Sequence, residues 1–157
     1  MSMTVQRAIA RIKAAGHDIS DEYSSDSCIE FINTAIQQVA ALLISARFPS
    51  LIKEMTVHNG DSLPQNFMIA AGSYPLRMTN GRVDIIDDDI ESVRFRFFAT
   101  PDMITAETTN FPISHDAINE VIVKLAIMLA LNENEYDISQ DTTLTTALQQ
   151  AIASGMQ

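Results

Sequence analysis

Cysteine, glycine and positive charge are all scarce in this chain of 157 residues, and each shortage removes a class of function. A lone cysteine, Cys28, permits neither an internal disulfide nor a multi-thiolate zinc site, and it suits a reducing compartment. With only 5 glycines there is no glycine-rich phosphate loop, and no GxSxG elbow is present to raise a serine nucleophile. The 10 Lys and Arg residues are outnumbered by 20 Asp and Glu, leaving a net charge of −10. That balance argues against non-specific wrapping of nucleic acid, because phosphate binding runs on basic side chains. An acidic protein can still line a passage for DNA, where repulsion prevents sticking. The stretch MSMTVQRAIARIKAAG lacks the long apolar region of a signal peptide, so a soluble cytoplasmic product is expected. Repeats and low-complexity tracts are also missing.

What is present is a globular composition, 46% hydrophobic and 19% charged, long enough for one domain that buries about 70% of its unfolded surface. The stretch that organises the rest is Ser114 to Asn132, SHDAINEVIVKLAIMLALN, in which Lys124 is the only polar residue between Val121 and Leu131. Ser114 is placed to cap it, with Asp116 in the first turn facing the positive end of the helix dipole. Its uninterrupted apolar part falls short of the roughly 20 residues a membrane span needs. A helix apolar on nearly every side must be surrounded by protein, so this is read as the central helix of a packed body.

Three further helices follow from periodicity. The first runs from about Thr4 to Ala15, with Val5, Ile9 and Ile12 on one face and Gly16 as its stop. A polar loop, HDISDEYSSDS, then leads into a second helix, where Ser27 and Glu30 have capping-box spacing. Cys28, Ile32, Ala35, Ile36, Val39, Leu42, Leu43 and Ala46 mark its inner face, and Pro49 bounds it. The last helix runs from about Asp141 to Ala153, with Leu144, Ala147, Leu148, Ala151 and Ile152 inward and Gly155 ending it.

Between the second helix and the central one the period changes to that of strands. Lys53 to His58, Phe67 to Ala71 and Ser92 to Ala99 are strand-like, the last alternating Val93, Phe95 and Phe97 with Arg94 and Arg96. Asn80-Gly81 is the preferred two-residue hairpin turn, since both residues tolerate positive φ. Counting outward pairs Thr79 with Arg82, Met78 with Val83, Arg77 with Asp84 and Leu76 with Ile85, which leaves one apolar and one charged face. Thr100 to Pro112 reads as an extended connector with few apolar anchors, and Thr100 to Thr109 within it is a candidate for order gained on assembly. The expected fold is α+β, a four-helix bundle from residues 1–50 and 114–154 with a small antiparallel sheet, residues 51–113, inserted between helices 2 and 3.

Candidate chemistry is thin. Asp84, Asp87, Asp88, Asp89 and Glu91 do not match the spacing of a calcium loop and have no central glycine, and read as a solvated connection partly neutralised by Arg94 and Arg96. His17, His58 and His115 are scattered without a metal-binding companion, and Cys28 reads as a buried small hydrophobe. Lys124, a single cation within an apolar helix, either snorkels outward or meets a carboxylate, which a subunit interface could provide. No catalytic, metal or cofactor residues are assigned. The rivals in other classes are a small dimeric regulatory or scaffolding module, and a metal-dependent hydrolase using the 84–91 acids.

Several short motifs, in order along most of the chain, carry a resemblance. They are Asp21-Glu22-Tyr23-Ser24 before the helix from Cys28 to Ala46; Leu63-Pro64-Gln65-Asn66-Phe67; Tyr74-Pro75-Leu76-Arg77; the strand Val93 to Phe98 followed by Pro101; and Phe111-Pro112-Ile113 leading into the Ala-rich helix that ends Asn132-Glu133-Asn134-Glu135. In these the chain resembles the head–tail connector (adaptor) proteins of tailed bacteriophages, of the tail-tubular or gatekeeper type. The resemblance implies a non-enzymatic virion protein of the neck, made in the host cytoplasm, that forms a homo-oligomeric ring, usually a dodecamer. Its partners are the portal and a tail or nozzle protein, with DNA passing through without sequence-specific binding and without any membrane contact. Arg77, Arg82, Arg94 and Arg96, read as sharing the one wet face of the sheet, are the candidates to meet Asp87, Asp88 and Asp89 of the next subunit.

Overall fold

The computed structural model describes residues 3–15, 24–107, 109–132 and 135–155. Residues 16–23, Gly16 and His17 among them, lie outside these. Among the described residues four α-helices form: α1 (Val5–Ala15), α2 (Ser25–Ser45), α3 (Asp116–Leu131) and α4 (Thr142–Gly155). Interleaved with them are β1 (Ile52–His58), β2 (Phe67–Ala70), β3 (Leu76–Thr79), β4 (Arg82–Ile85) and β5 (Ser92–Ala99). The class is α+β, as the periodicities indicate.

Helix α3 packs against α2, α4 and α1. Ile118, Val121, Ile122, Leu125, Ala126 and Leu129 are all buried along it, whereas Lys124 is exposed and Leu131 half so. The central helix is therefore enclosed except for one strip. Two caps differ from the sequence reading. His115, not Ser114, caps α3, its Nδ1 accepting from the Ile118 N–H at 3.3 Å. Ser24, not Ser27, caps α2, its hydroxyl accepting from the Ser27 N–H at 3.1 Å, so Ser27 sits one turn inside. Both helices start at the residue whose backbone is still extended, which residue type alone does not reveal.

Helix α2 also stops before the proline that bounds it. Arg47 takes a left-handed φ of 59°. The Phe48 and Arg47 N–H groups close back onto Leu43 and Ile44 carbonyls, each at 2.9 Å, the paired bonds of a Schellman motif. Arg47 then lays its guanidinium over Phe98, 5.2 Å from the ring centroid, a contact that helps offset the strained backbone. At the other end of the chain Gly155 is the last helical residue rather than a stop beyond α4. A Cβ there would come within 2.8 Å of the Phe48 ring, so the glycine serves close packing.

The strands make two sheets, one three-stranded in the order β1-β5-β2 and one two-stranded, β3-β4. The hairpin register is the one the Asn80-Gly81 turn requires: Leu76 with Ile85, Arg77 with Asp84, Met78 with Val83, Thr79 with Arg82. Asn80 and Gly81 take φ of 53° and 75°, as that turn demands. The apolar sides of both sheets meet in one cluster containing Val57, Val83, Ile85, Val93, Phe95 and Phe97. Phe98, on the opposite side of β5, is instead buried in the helical core. Strand β5 thus ties the β layers to the bundle, with Ile52 of β1 packed against the same core.

The connector after β5 is firmly anchored, contrary to its sparse apolar content. Asn33 of α2 grips the backbone of Ile104 from both sides, donating to its carbonyl at 3.0 Å and accepting from its N–H at 2.8 Å. Gln37 donates to the Pro101 carbonyl at 3.2 Å. Val5 and Thr109, and Phe111 and Met3, are joined by backbone bonds at 3.0 and 2.8 Å. Ile104, Phe111 and Ile113 are buried in the helical core.

Candidate interaction surfaces

The four arginines proposed for an interface do not share one face. Val93, Phe95 and Phe97 of β5 point into the cluster between the sheets, so alternation puts Arg94 and Arg96 on the other side of the three-stranded layer, the side whose Phe98 end meets the helices. Val83 and Ile85 point into the same cluster from β4, which sends Arg77 and Arg82 off the outer side of the hairpin. The four divide into two pairs on two outward faces, and all four are exposed. The sequence pattern shows alternation within a strand but not that two sheets lie back to back.

Within its own chain Arg94 pairs with Glu54 at 2.9 Å, and Arg82 donates to the Gly60 carbonyl at 3.2 Å. Arg77 stands opposite Asp84 in register, and Arg96 opposite Glu54. Asp87, Asp88 and Asp89 form the exposed connection from β4 to β5, with Asp87 accepting from the Asp89 N–H at 2.9 Å. Among the described residues no three His, Cys, Asp or Glu side chains converge as metal ligands do.

The remaining polar candidates take structural positions. His58 lies on β1 with its Nδ1 3.6 Å from Asp61, and His115 caps α3 while packing edge-on against Phe48. Cys28 is buried in α2. Glu120, one turn before Lys124, is gripped by Arg11 of α1 at 2.7 and 2.5 Å, and that guanidinium holds its carboxyl below the ordinary value. Asp141 accepts from the Leu144 N–H at 3.0 Å and from the Tyr136 hydroxyl at 2.8 Å, which lowers its own pKa and raises that of the phenol. Asp141 therefore caps α4 instead of beginning it.

Two features were not legible in the sequence. The first is a set of side-chain amides on α2 that act as backbone clamps: Asn33 on Ile104, and Gln38 on the 136–138 loop, donating to the Tyr136 carbonyl and accepting from the Ile138 N–H, both at 2.8 Å. The second is a set of surface hollows. One of about 390 Å³ runs beside the connector between Leu51, Lys53, Asp102 and Thr105. Another of about 540 Å³ lies on the outer side of α2 beside Met103. Two more, of about 350 and 310 Å³, lie between α3 and α4 on either side of Lys124. Each is open to solvent on one side and lined by a mixture of polar and apolar residues.

No family model matches the chain, and no curated protein matches it.

Proposed function

We propose that this chain is the subunit of a ring-shaped adaptor in the neck of a tailed bacteriophage, seated between portal and tail and surrounding the passage for DNA. The observation that carries the reading is where the motif residues fall. Tyr74 accepts from the Arg96 N–H at 3.1 Å and packs edge-on against Phe95, tying the hairpin layer to β5. Asn66, at a left-handed φ of 63°, turns the chain into β2 and donates to Asp102 at 2.5 Å, next to Pro101. Phe111 and Ile113 are buried where the connector enters α3. These motif residues join the hairpin to β5, the start of β2 to the 101–102 segment and the connector to α3, while Asp21-Glu22-Tyr23 and Glu133-Asn134 lie outside the described residues. A net charge of −10 suits a channel that must let DNA slide.

The test is assembly. Native mass measurement and images of the purified chain, alone and mixed with a portal, are expected to show a ring. A particle no larger than a dimer under both conditions overturns the reading.

A further inference from the structure

We infer that copies of this chain join head to tail through two unlike helix faces: the outer side of α2 with Met103 on one copy, and the groove around Lys124 on the next. The inference rests on the ring reading only in taking a second copy as the partner.

The first face is a hollow lined in part by an exposed methionine. Asp26, Ile29, Asn33 and Gln37 occupy the side of α2 turned away from Ile32, Ala35 and Val39, which are buried. Met103 lines the same hollow and is 61% exposed. The next residue is held at both its N–H and its C=O by Asn33, so Met103 is presented from a fixed backbone. An apolar side chain already positioned loses less freedom on contact, and burying it gains more. The charge beside it is negative, from Asp26 and Glu30.

The second face is a receiving one. Lys124 is shared by both hollows between α3 and α4, and it lies on the side of α3 turned away from Ile122, Ala126 and Leu129. Ile127, Met128 and Leu144 line one hollow, and Leu131 farther along the strip is 51% exposed. Of the neighbouring acids, Glu120 is shared between Arg11, to which it is bonded, and Lys124, and Asp141 is held by the Leu144 N–H and the Tyr136 hydroxyl. A cation at the centre of an apolar strip is complemented best by a carboxylate brought from outside together with an apolar knob. The α2 face carries both.

The two faces are unlike, one on α2 beside the connector and the other between α3 and α4. A contact between unlike surfaces repeats without using itself up, and so yields a ring or a filament rather than a closed dimer.

Light scattering and native mass spectrometry of the full chain test this, with circular dichroism confirming that each variant folds. The wild type is expected to assemble beyond a dimer. Lys124→Glu and Asp26→Lys should each reduce the assembled fraction about tenfold, as should Met103→Asp. Mixing the two charge variants should restore assembly, because every mixed contact again joins opposite charges. A wild type that assembles while all three variants assemble equally well overturns the inference and leaves the ring to another contact. A wild type that stops at a dimer or a monomer also overturns it, and the ring reading is then decided separately by the mixture with portal.

Discussion

Asn33 bonds to both the N–H and the C=O of Ile104, whose side chain is buried among the helices. A side-chain amide here replaces the neighbour that a strand would supply, which is how an irregular connector satisfies its backbone against a helix. Replacing Asn33 with alanine leaves one donor and one acceptor unmet, and a loss of about 1–3 kcal/mol is expected. Chemical denaturation measures it, and the mutant should show earlier amide exchange in the connector than in α3. Titration offers a second residue-level check. The carboxyls of Glu120, Asp137 and Asp141 are all held below their ordinary values, respectively by Arg11, by the bonds from Ser139, and by the Leu144 N–H with Tyr136. A carboxylate with a depressed folded pKa contributes stability that is present above its unfolded pKa and lost as pH falls through the folded one. Melting temperature should therefore drop as pH passes below the ordinary carboxylate range, and Glu120→Gln should be less stable at neutral pH with a flatter acid limb.

Among the elements, the hairpin is the most completely specified. Gly81 sits at φ 75° with open space where a Cβ would go, so any cost of a side chain there is backbone strain alone. Gly81→Ala is expected to lose about 1–2 kcal/mol, visible in denaturation midpoints, while the packing of Val83 and Ile85 beneath remains unchanged. A melting curve identical to wild type would remove the two-residue turn as the source of register. Helix α2 illustrates the reverse case. It is long and apolar enough to cross a membrane, yet in the fold its apolar face meets α1 and α3 and its amides clamp two loops. Length and hydropathy register the apolar face and cannot see the clamps, because Asn and Gln at those positions look like ordinary surface residues until the loops return to them.

For the whole molecule, two candidate contacts between copies can be told apart. The outer side of the β1-β5-β2 sheet presents Arg94 and Arg96, with Arg94 already paired to Glu54. If that layer meets the 87–89 acids of a neighbour, reversing Arg94 and Arg96 to glutamate should impair assembly as measured by native mass, with unchanged helicity. Normal assembly of that double mutant would assign the contact to the helices. Because Arg77 and Arg82 belong to the other outward face, reversing them should act independently of Arg94 and Arg96.

Local pattern alone determined a good deal of this protein: the four helices, the hairpin register and the buried α3 follow from periods of 3.6 and 2 and from Asn80-Gly81, all of which depend on near neighbours in the chain. The tertiary structure decided the rest. It set the hairpin back to back with the β1-β5-β2 sheet, so that four arginines expected together were divided between two faces. It also turned Asn33, Gln37 and Gln38 from surface amides into clamps, and left Lys124 central to an open groove. Each of these depends on which distant segment returns to a given side chain, and that is settled only when apolar faces from separate elements are buried against one another.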